Sequence, residues 1–176
     1  MPLDAYLYSD TTNALVVAPE SVHQDSAITN LIYKVFGPGR YVKTAERLRE
    51  GNHPYPDLSL VAMKGETLMG SVRLWPVVVK SDDGDTATEV AFLGPITVDP
   101  VAQGGGIGSQ LVEAALNKAF AKGLSAVVLV GDFDYFKRFG FERAQLILPG
   151  PADPKRILIA YAEGATPLTG KVSVRR

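Results

Sequence analysis

The chain has 176 residues, 46% of them hydrophobic, with a formal net charge of −1 and a pI of about 6.1. That length suits one domain with a sizeable core, and without a basic stripe nucleic acid is not an expected partner. Cysteine is absent, which excludes a disulfide framework, a thiolate metal site and a cysteine nucleophile.

His23 and His53 lack ligand spacing, so no metal is expected. The first residues, Met1-Pro2-Leu3-Asp4-Ala5-Tyr6, have neither a basic region nor an apolar stretch of signal-peptide type. No apolar run approaches about 18 residues, so no membrane partner is expected. Together with the missing cysteines this fits a cytoplasmic protein.

Residues 1–13 read as an irregular extension. A first strand follows at 14–19. Glu20, Ser21 and Asp25 then open a helix whose apolar set is Val22, Ile28, Leu31, Ile32, Val35 and Phe36. Gly37-Pro38-Gly39 ends it. A short charged helix is expected at 44–50, followed by the loop His53-Pro54-Tyr55-Pro56. Three strands at 58–63, 67–79 and 88–98 read as a meander with hairpin turns. The acidic turn Ser81–Asp85 reads as solvated, although its charge could also attract an amine.

Pro95 falls inside the third meander strand. Proline has no N–H for a ladder, so it requires an edge or a bulge, and Gly94 beside it eases a bulge. Such a bulge would bend the strand away from its next neighbour and open a gap in the sheet. The strand ends at Val98-Asp99-Pro100, and a loop with Gly104-Gly105-Gly106 leads directly into a helix. Leu111, Val112, Ala115, Leu116, Ala119 and Phe120 give that helix one wide apolar face, and Gly123 suits its C′ position. The valine-rich run 125–130 reads as a strand buried on both faces, which makes 88–130 a parallel βαβ unit. A helical turn at 135–139, strands at 143–148 and 156–162, and a tail at 163–176 complete the chain.

A strand that feeds a helix through a glycine turn is an anion site, because the first N–H groups of the helix are unpaired and its dipole favours negative charge. A lysine-dependent triphosphate loop is excluded, since no lysine follows the glycines. The G-x-G-x-x-G dinucleotide pattern fails at Ser109 or Leu111, depending on the starting glycine. What remains is Gln103-x-x-Gly106-x-Gly108.

That pattern, after a strand ending V-D-P and before an amphipathic helix, resembles the acyl-CoA signature of the GCN5-related N-acetyltransferase (GNAT) family. A second stretch, Gly131-Asp132-Phe133-Asp134-Tyr135-Phe136-Lys137-Arg138-Phe139-Gly140-Phe141, resembles a bacterial subgroup of predicted acetyltransferases with a G-D…R-F-G-F motif. The resemblance implies an α+β fold of the acyl-CoA N-acyltransferase type. Its sheet would be mixed and mostly antiparallel, of about seven strands, with one parallel βαβ unit and flanking helices. Residues 14–162 would form this domain.

The resemblance further implies acetyl-CoA as cosubstrate and no metal. The pyrophosphate would rest on the backbone of Gly104, Gly105, Gly106, Ile107, Gly108 and Ser109, with Gln103 bracing the loop. The pantetheine arm would bond the strand at Ile96, Thr97 and Val98, and Phe136 would lie beside it. Phe136 occupies the position where the family usually has a tyrosine acid, which leaves Tyr135 as the candidate. Glu89 is the acid on the strand before Asp99 and is the candidate base. Tyr33, Phe36, Tyr41, Tyr55 and Trp75 are candidates to line an acceptor pocket. The implied reaction acetylates a primary amine of a small molecule or peptide. The alternative is an acyl-CoA-binding sensor or partner domain without catalysis. Homodimerisation is left open.

Overall fold

The computed structural model describes residues 13–176; nearly all of the expected N-terminal extension lies outside them. One mixed sheet organises the chain. Its strands are β1 (Leu15–Pro19), β2 (Leu60–Lys64), β3 (Thr67–Lys80), β4 (Ala87–Val98), β5 (Ala126–Val130), β6 (Glu142–Arg143), β7 (Leu146–Ile147), β8 (Ile157–Tyr161) and β9 (Gly170–Val174). The main path runs β1-β2-β3-β4-β5-β8-β6. Pairing is antiparallel except for β4 with β5, the expected βαβ unit, and a two-residue contact of β7 with β9. The helices are α1 (Asp25–Phe36), α2 (Ile107–Ala121) and the single turn α3 (Phe133–Phe136).

Side-chain alternation divides the core in two. On one face Val72 and Leu74 of β3 meet Leu111, Val112, Ala115 and Ala119 of α2. On the other, Trp75, Val77 and Val79 pack with Phe92, Leu146, Leu148 and Ile159. The apolar run of β5 serves both faces: Val127 and Leu129 enter the first cluster, Ala126 and Val128 the second. Burial on both sides is why that strand shows no polar alternation. Each large side chain buried this way stabilises the fold by about 1.5–3 kcal/mol.

α1 is anchored by charge as well as by Ile28 and Ile32. Arg73 of β3 donates to Glu20 at 3.1 Å and to Asp25 at 2.8 Å, with its own side chain 11% exposed. The acidic hairpin turn is closed on itself, since Asp83 accepts from Ser81 Oγ and from the Asp85 N–H.

Three elements differ from the expectation. The short charged helix expected at 44–50 forms as a 3-10 stretch, Thr44–Leu48, and a second 3-10 stretch, Pro38–Val42, precedes it where none was expected. The strand expected at 143–148 breaks into β6, which pairs with β8, and β7, which pairs with β9. Within the expected tail, β9 binds the Val77–Lys80 edge of β3, where β2 has already ended. An open edge there would leave a row of backbone groups unpaired, and β9 covers it.

α2 lies close to the sheet because Gly70 has no side chain. A Cβ at Gly70 would stand 2.9 Å from the Thr97 carbonyl oxygen, 3.1 Å from Ile107 and 3.2 Å from Leu111. Gly70→Ala is therefore expected to destabilise the protein by about 1–3 kcal/mol, read as a lower midpoint in urea denaturation; an unchanged midpoint would refute the close packing.

Candidate active site

The site begins where β4 leaves β5. Their parallel register comprises Ala91↔Val127 and Phe92↔Val128. Past Phe92, β4 continues to Val98 paired with β3 alone. The β3–β4 register runs Leu74↔Leu93 and then Val72↔Ile96, so Gly94 and Pro95 together oppose Arg73. This is the bulge expected from Pro95. Trp75 fixes it by donating its indole N–H to the Gly94 carbonyl at 2.6 Å.

A cavity of about 640 Å³ occupies the opening, with Leu93–Ile96 on one side and Leu129–Asp132 on the other. Phe136 lines it and lies against Gly131, where a Cβ would stand 2.5 Å from the ring. Any side chain at 131 would displace Phe136.

At its far end β4 runs into the glycine loop. The Asp99 carboxylate accepts from the Val101 N–H at 3.0 Å and from Lys34 at 3.0 Å; both contacts hold its pKa below the usual carboxylate value, the first more strongly. Gln103 Nε2 turns back to 3.4 Å from the Val98 carbonyl. Gly106 is the N-cap of α2 and adopts φ 78°, a left-handed conformation that favours glycine. Among the described residues, the N–H groups from Gly104 to Ser109 donate no hydrogen bond outside the helix. They lie at the positive end of α2.

Arg138 adds a full positive charge there. Its Nη2 donates to Ser109 Oγ at 3.0 Å, and its guanidinium stacks 4.2 Å from the Tyr135 ring and 4.9 Å from that of Phe139. A cation held at a helix N-terminus opposes the dipole, so the pair favours an anion between them. The loop thus suits a phosphate on two counts: glycines that keep Cβ atoms out of the way, and concentrated donors without protein acceptors.

The structure separates some residues that the sequence suggested together. Tyr135 lies at the loop end, its hydroxyl 3.4 Å from where a Cβ on Gly108 would stand, whereas Phe136 faces the cavity. Thr97 is fully buried on the face opposite α2, with Oγ1 lacking a partner among the described residues, and its backbone pairs with Ser71 of β3, so it is not open to a ligand. Ile107 packs into the core and anchors the loop.

Glu89 is not among the residues lining the cavity. It lies five residues before Gly94, roughly 17 Å along an extended strand. Its Oε1 accepts from Tyr55 at 2.5 Å and from Arg175 at 2.8 Å. Of the five candidate pocket aromatics, Phe36 lines the cavity. Tyr33 and Tyr41 are exposed, Tyr55 binds Glu89, and Trp75 holds the bulge. No cluster of metal-ligating side chains occurs among the described residues, and none of their helices is long and apolar enough to cross a membrane.

Residues 26–141 match the model of the Acetyltransferase (GNAT) family. The chain belongs to this family. It is 33% identical over 118 residues to YhbS of Escherichia coli K12, an uncharacterized N-acetyltransferase, a match spanning 66% of this chain and 67% of that one. The crystal structure of Escherichia coli YhbS in complex with CoA superposes with a TM-score of 0.74 at 26% identity, covering 92% of this chain and 89% of that one. A GNAT family acetyltransferase from Brucella melitensis, in complex with acetyl-CoA, shares the fold with a TM-score of 0.67 at 22% identity, covering 93% and 97%.

Sequence reasoning passed over two residues of this GNAT site. Arg138 stands inside the R-F-G-F motif, and the motif alone assigns it no role, because its partner Ser109 is distant in sequence. Arg49 falls in the segment expected only as a short charged helix, yet it lines the cavity.

Burial and the hydrogen bond to Glu89, in that order, push the Tyr55 pKa well above its ordinary value. A raised folded-state pKa favours the protonated phenol, so its contribution is complete below the unfolded pKa of about 10 and falls away as pH rises beyond it. The thermal midpoint of the wild type should therefore drop more steeply above about pH 10 than that of Tyr55→Phe. Parallel pH profiles for the two proteins would contradict this.

Proposed function

We propose that this GNAT acetyltransferase transfers an acetyl group from acetyl-CoA to a primary amine of a small molecule or peptide by direct attack. One observation carries the reading: a single strand, β4, has an open cavity at its bulge and a phosphate-type glycine loop at its end.

Gly104, Gly105, Gly106, Gly108 and Ser109 would hold the phosphates through backbone N–H groups, with Arg138 supplying charge and Gln103 bracing the loop. Ile96 and Val98 would hold the pantetheine arm through the edge of β4 that β5 leaves unpaired, whereas the Thr97 backbone faces Ser71 of β3. When bound, acetyl-CoA supplies an acetyl thioester: an amine forms the new N–C bond as the C–S bond breaks, and sulfur leaves with the electron pair. A backbone N–H on the same free edge can stabilise the developing oxyanion without any special side chain. Phe136 walls the cavity against water.

The proton inventory follows from placement. Tyr135 lies by Gly108, so we assign it to the cofactor wall instead of to proton donation. A thiol with a pKa of about 8.5 leaves adequately as thiolate, so the step does not depend on an acid. Glu89, engaged by Tyr55 and Arg175, is not assigned as base. The amine must therefore arrive neutral or lose its proton to water. An α-amine, with a pKa of about 7.7–8.0, does so far more readily than a lysine side chain near 10.4.

Thiol release measured over a panel of amines tests the reading, with CoA binding followed by calorimetry. Turnover on at least one amine is expected. Tight CoA binding without turnover on any amine would favour the non-catalytic acyl-CoA sensor, for which Phe136 in place of a tyrosine is the supporting feature.

For the loop, Gly106→Glu should abolish CoA binding, because its carboxylate enters the phosphate cradle. Gly106→Asn tolerates the left-handed conformation without adding charge and should retain most of the affinity. Equal affinity in a folded Gly106→Glu protein would refute the cradle.

A further inference from the structure

The cavity at the bulge is basic. Arg40, Lys43, Arg49 and Arg156 line it, against Asp132 and Asp153. Both acids also serve as caps, Asp132 accepting from the Asp134 N–H and Asp153 from the Lys155 N–H, each at 3.0 Å, so four cations face two acids in the lining. Arg40, Lys43 and Arg156 form no ion pair among the described residues.

Arg49 stands at the bulge itself. It follows the 3-10 turn Thr44–Leu48, whose Leu48 is fully buried and anchors the turn under the sheet. The Arg49 side chain is 11% exposed, and its guanidinium lies 5.7 Å from the Phe92 ring. Nη2 is 2.9 Å from where a Cβ on Gly94 would stand. Nη1 donates to Glu46 Oε2 at 3.2 Å, while the buried Nε has no partner among the described residues. A guanidinium has five N–H donors and is costly to bury underused. Glu46 takes one of them and Nε is buried, which leaves the outer edge of the guanidinium, Nη2 foremost, beside the strand where acyl transfer is placed.

We infer that the acceptor amine also carries an anionic group, and that Arg49 binds this group beside the Gly94–Pro95 bulge. This rests on the amine-acetylation reading and names its substrate class. Carboxylate and phosphate share the chemistry that a guanidinium fork recognises. The same field repels polyamines and lysine-rich peptides, whose further charges are all positive. It also favours the neutral form of the reacting nitrogen, because neighbouring cations disfavour an ammonium.

Trp75 is the only tryptophan in the chain and donates to Gly94 within the bulge, so its fluorescence reports occupancy. With CoA bound, the protein is titrated with glutamate and other α-amino acids, with phosphoethanolamine, with tyramine and with spermidine. Thiol release from acetyl-CoA is measured on the same panel. A carboxylate or phosphate amine should bind and show a kcat/KM at least about tenfold above tyramine and spermidine, and the better arm identifies the anion.

Arg49→Gln should cut that preference by about ten- to a hundredfold, mainly through KM, with CoA affinity held. Arg49→Lys, which keeps the charge but loses the fork, should recover part of it. If Arg49→Gln fails to fold because Glu46 is left buried alone, Glu46→Gln with Arg49→Gln removes both charges and is read in the same way. Equal kcat/KM across the panel, a preference for spermidine, or an anionic preference that survives Arg49→Gln would overturn the inference. So would the absence of any fluorescence response to an anionic amine, whatever the turnover. A response abolished by Arg49→Gln but without thiol release would uphold the anion site and refute acetylation.

Discussion

The whole site depends on the parting of β4 from β5. Parallel strands bond evenly along their length unless one is bent away, and here the extra residue at Gly94–Pro95 bends β4 after Phe92. β4 keeps its ladder with β3 on the other side, so the departure is rigid. Trp75 tightens it by donating to the Gly94 carbonyl, which the bulge removes from the β3 ladder. A cavity inside a sheet is normally closed by neighbouring strands. This one stays open because the backbone that lines it is fully supported from behind.

The electrostatics extend the same design. At the loop end of β4, backbone N–H groups, the α2 dipole and Arg138 gather positive potential. At the bulge, Arg49 and its neighbours do likewise. The overall charge of −1 conceals this, because other acids lie away from the cavity: Glu20 and Asp25 on Arg73, Glu89 on Arg175. The close approach of α2 at Gly70 and of Phe136 at Gly131 sets the two walls at fixed separations. Both depend on the absence of a methyl group, a smaller change than any hydrophobic pattern reveals.

Local chemistry was legible wherever one residue type forces one conformation. Pro95 without an N–H demanded a bulge, the Gly104–Gly106 run marked the turn into α2, and the unbroken apolar run at 126–130 implied burial on both faces. The order of elements around the βαβ unit followed from the same signals. Pairing between distant segments did not. β9 is a short strand that forms because β3 outruns β2, and no signal within 170–174 announces that vacant edge. The strand expected at 143–148 divides because its two halves meet different partners. Nor does the charged pattern at 44–50 show that Leu48 anchors the segment under the sheet.

The sequence by itself determined the bulge and the glycine turn into α2, which rest on backbone restrictions within a few residues, and the fold class, which follows from the order of the elements. Tertiary structure decided which side chains face the cavity. Phe136 enters it while its neighbour Tyr135 turns to Gly108, since adjacent positions on a helical turn point about 100° apart. Glu89 joins Tyr55 and Arg175 instead of the bulge, and Arg49 comes to Gly94 from a segment 45 residues earlier. Direction and long-range approach are properties of the packed whole, and they set the chemistry of the site.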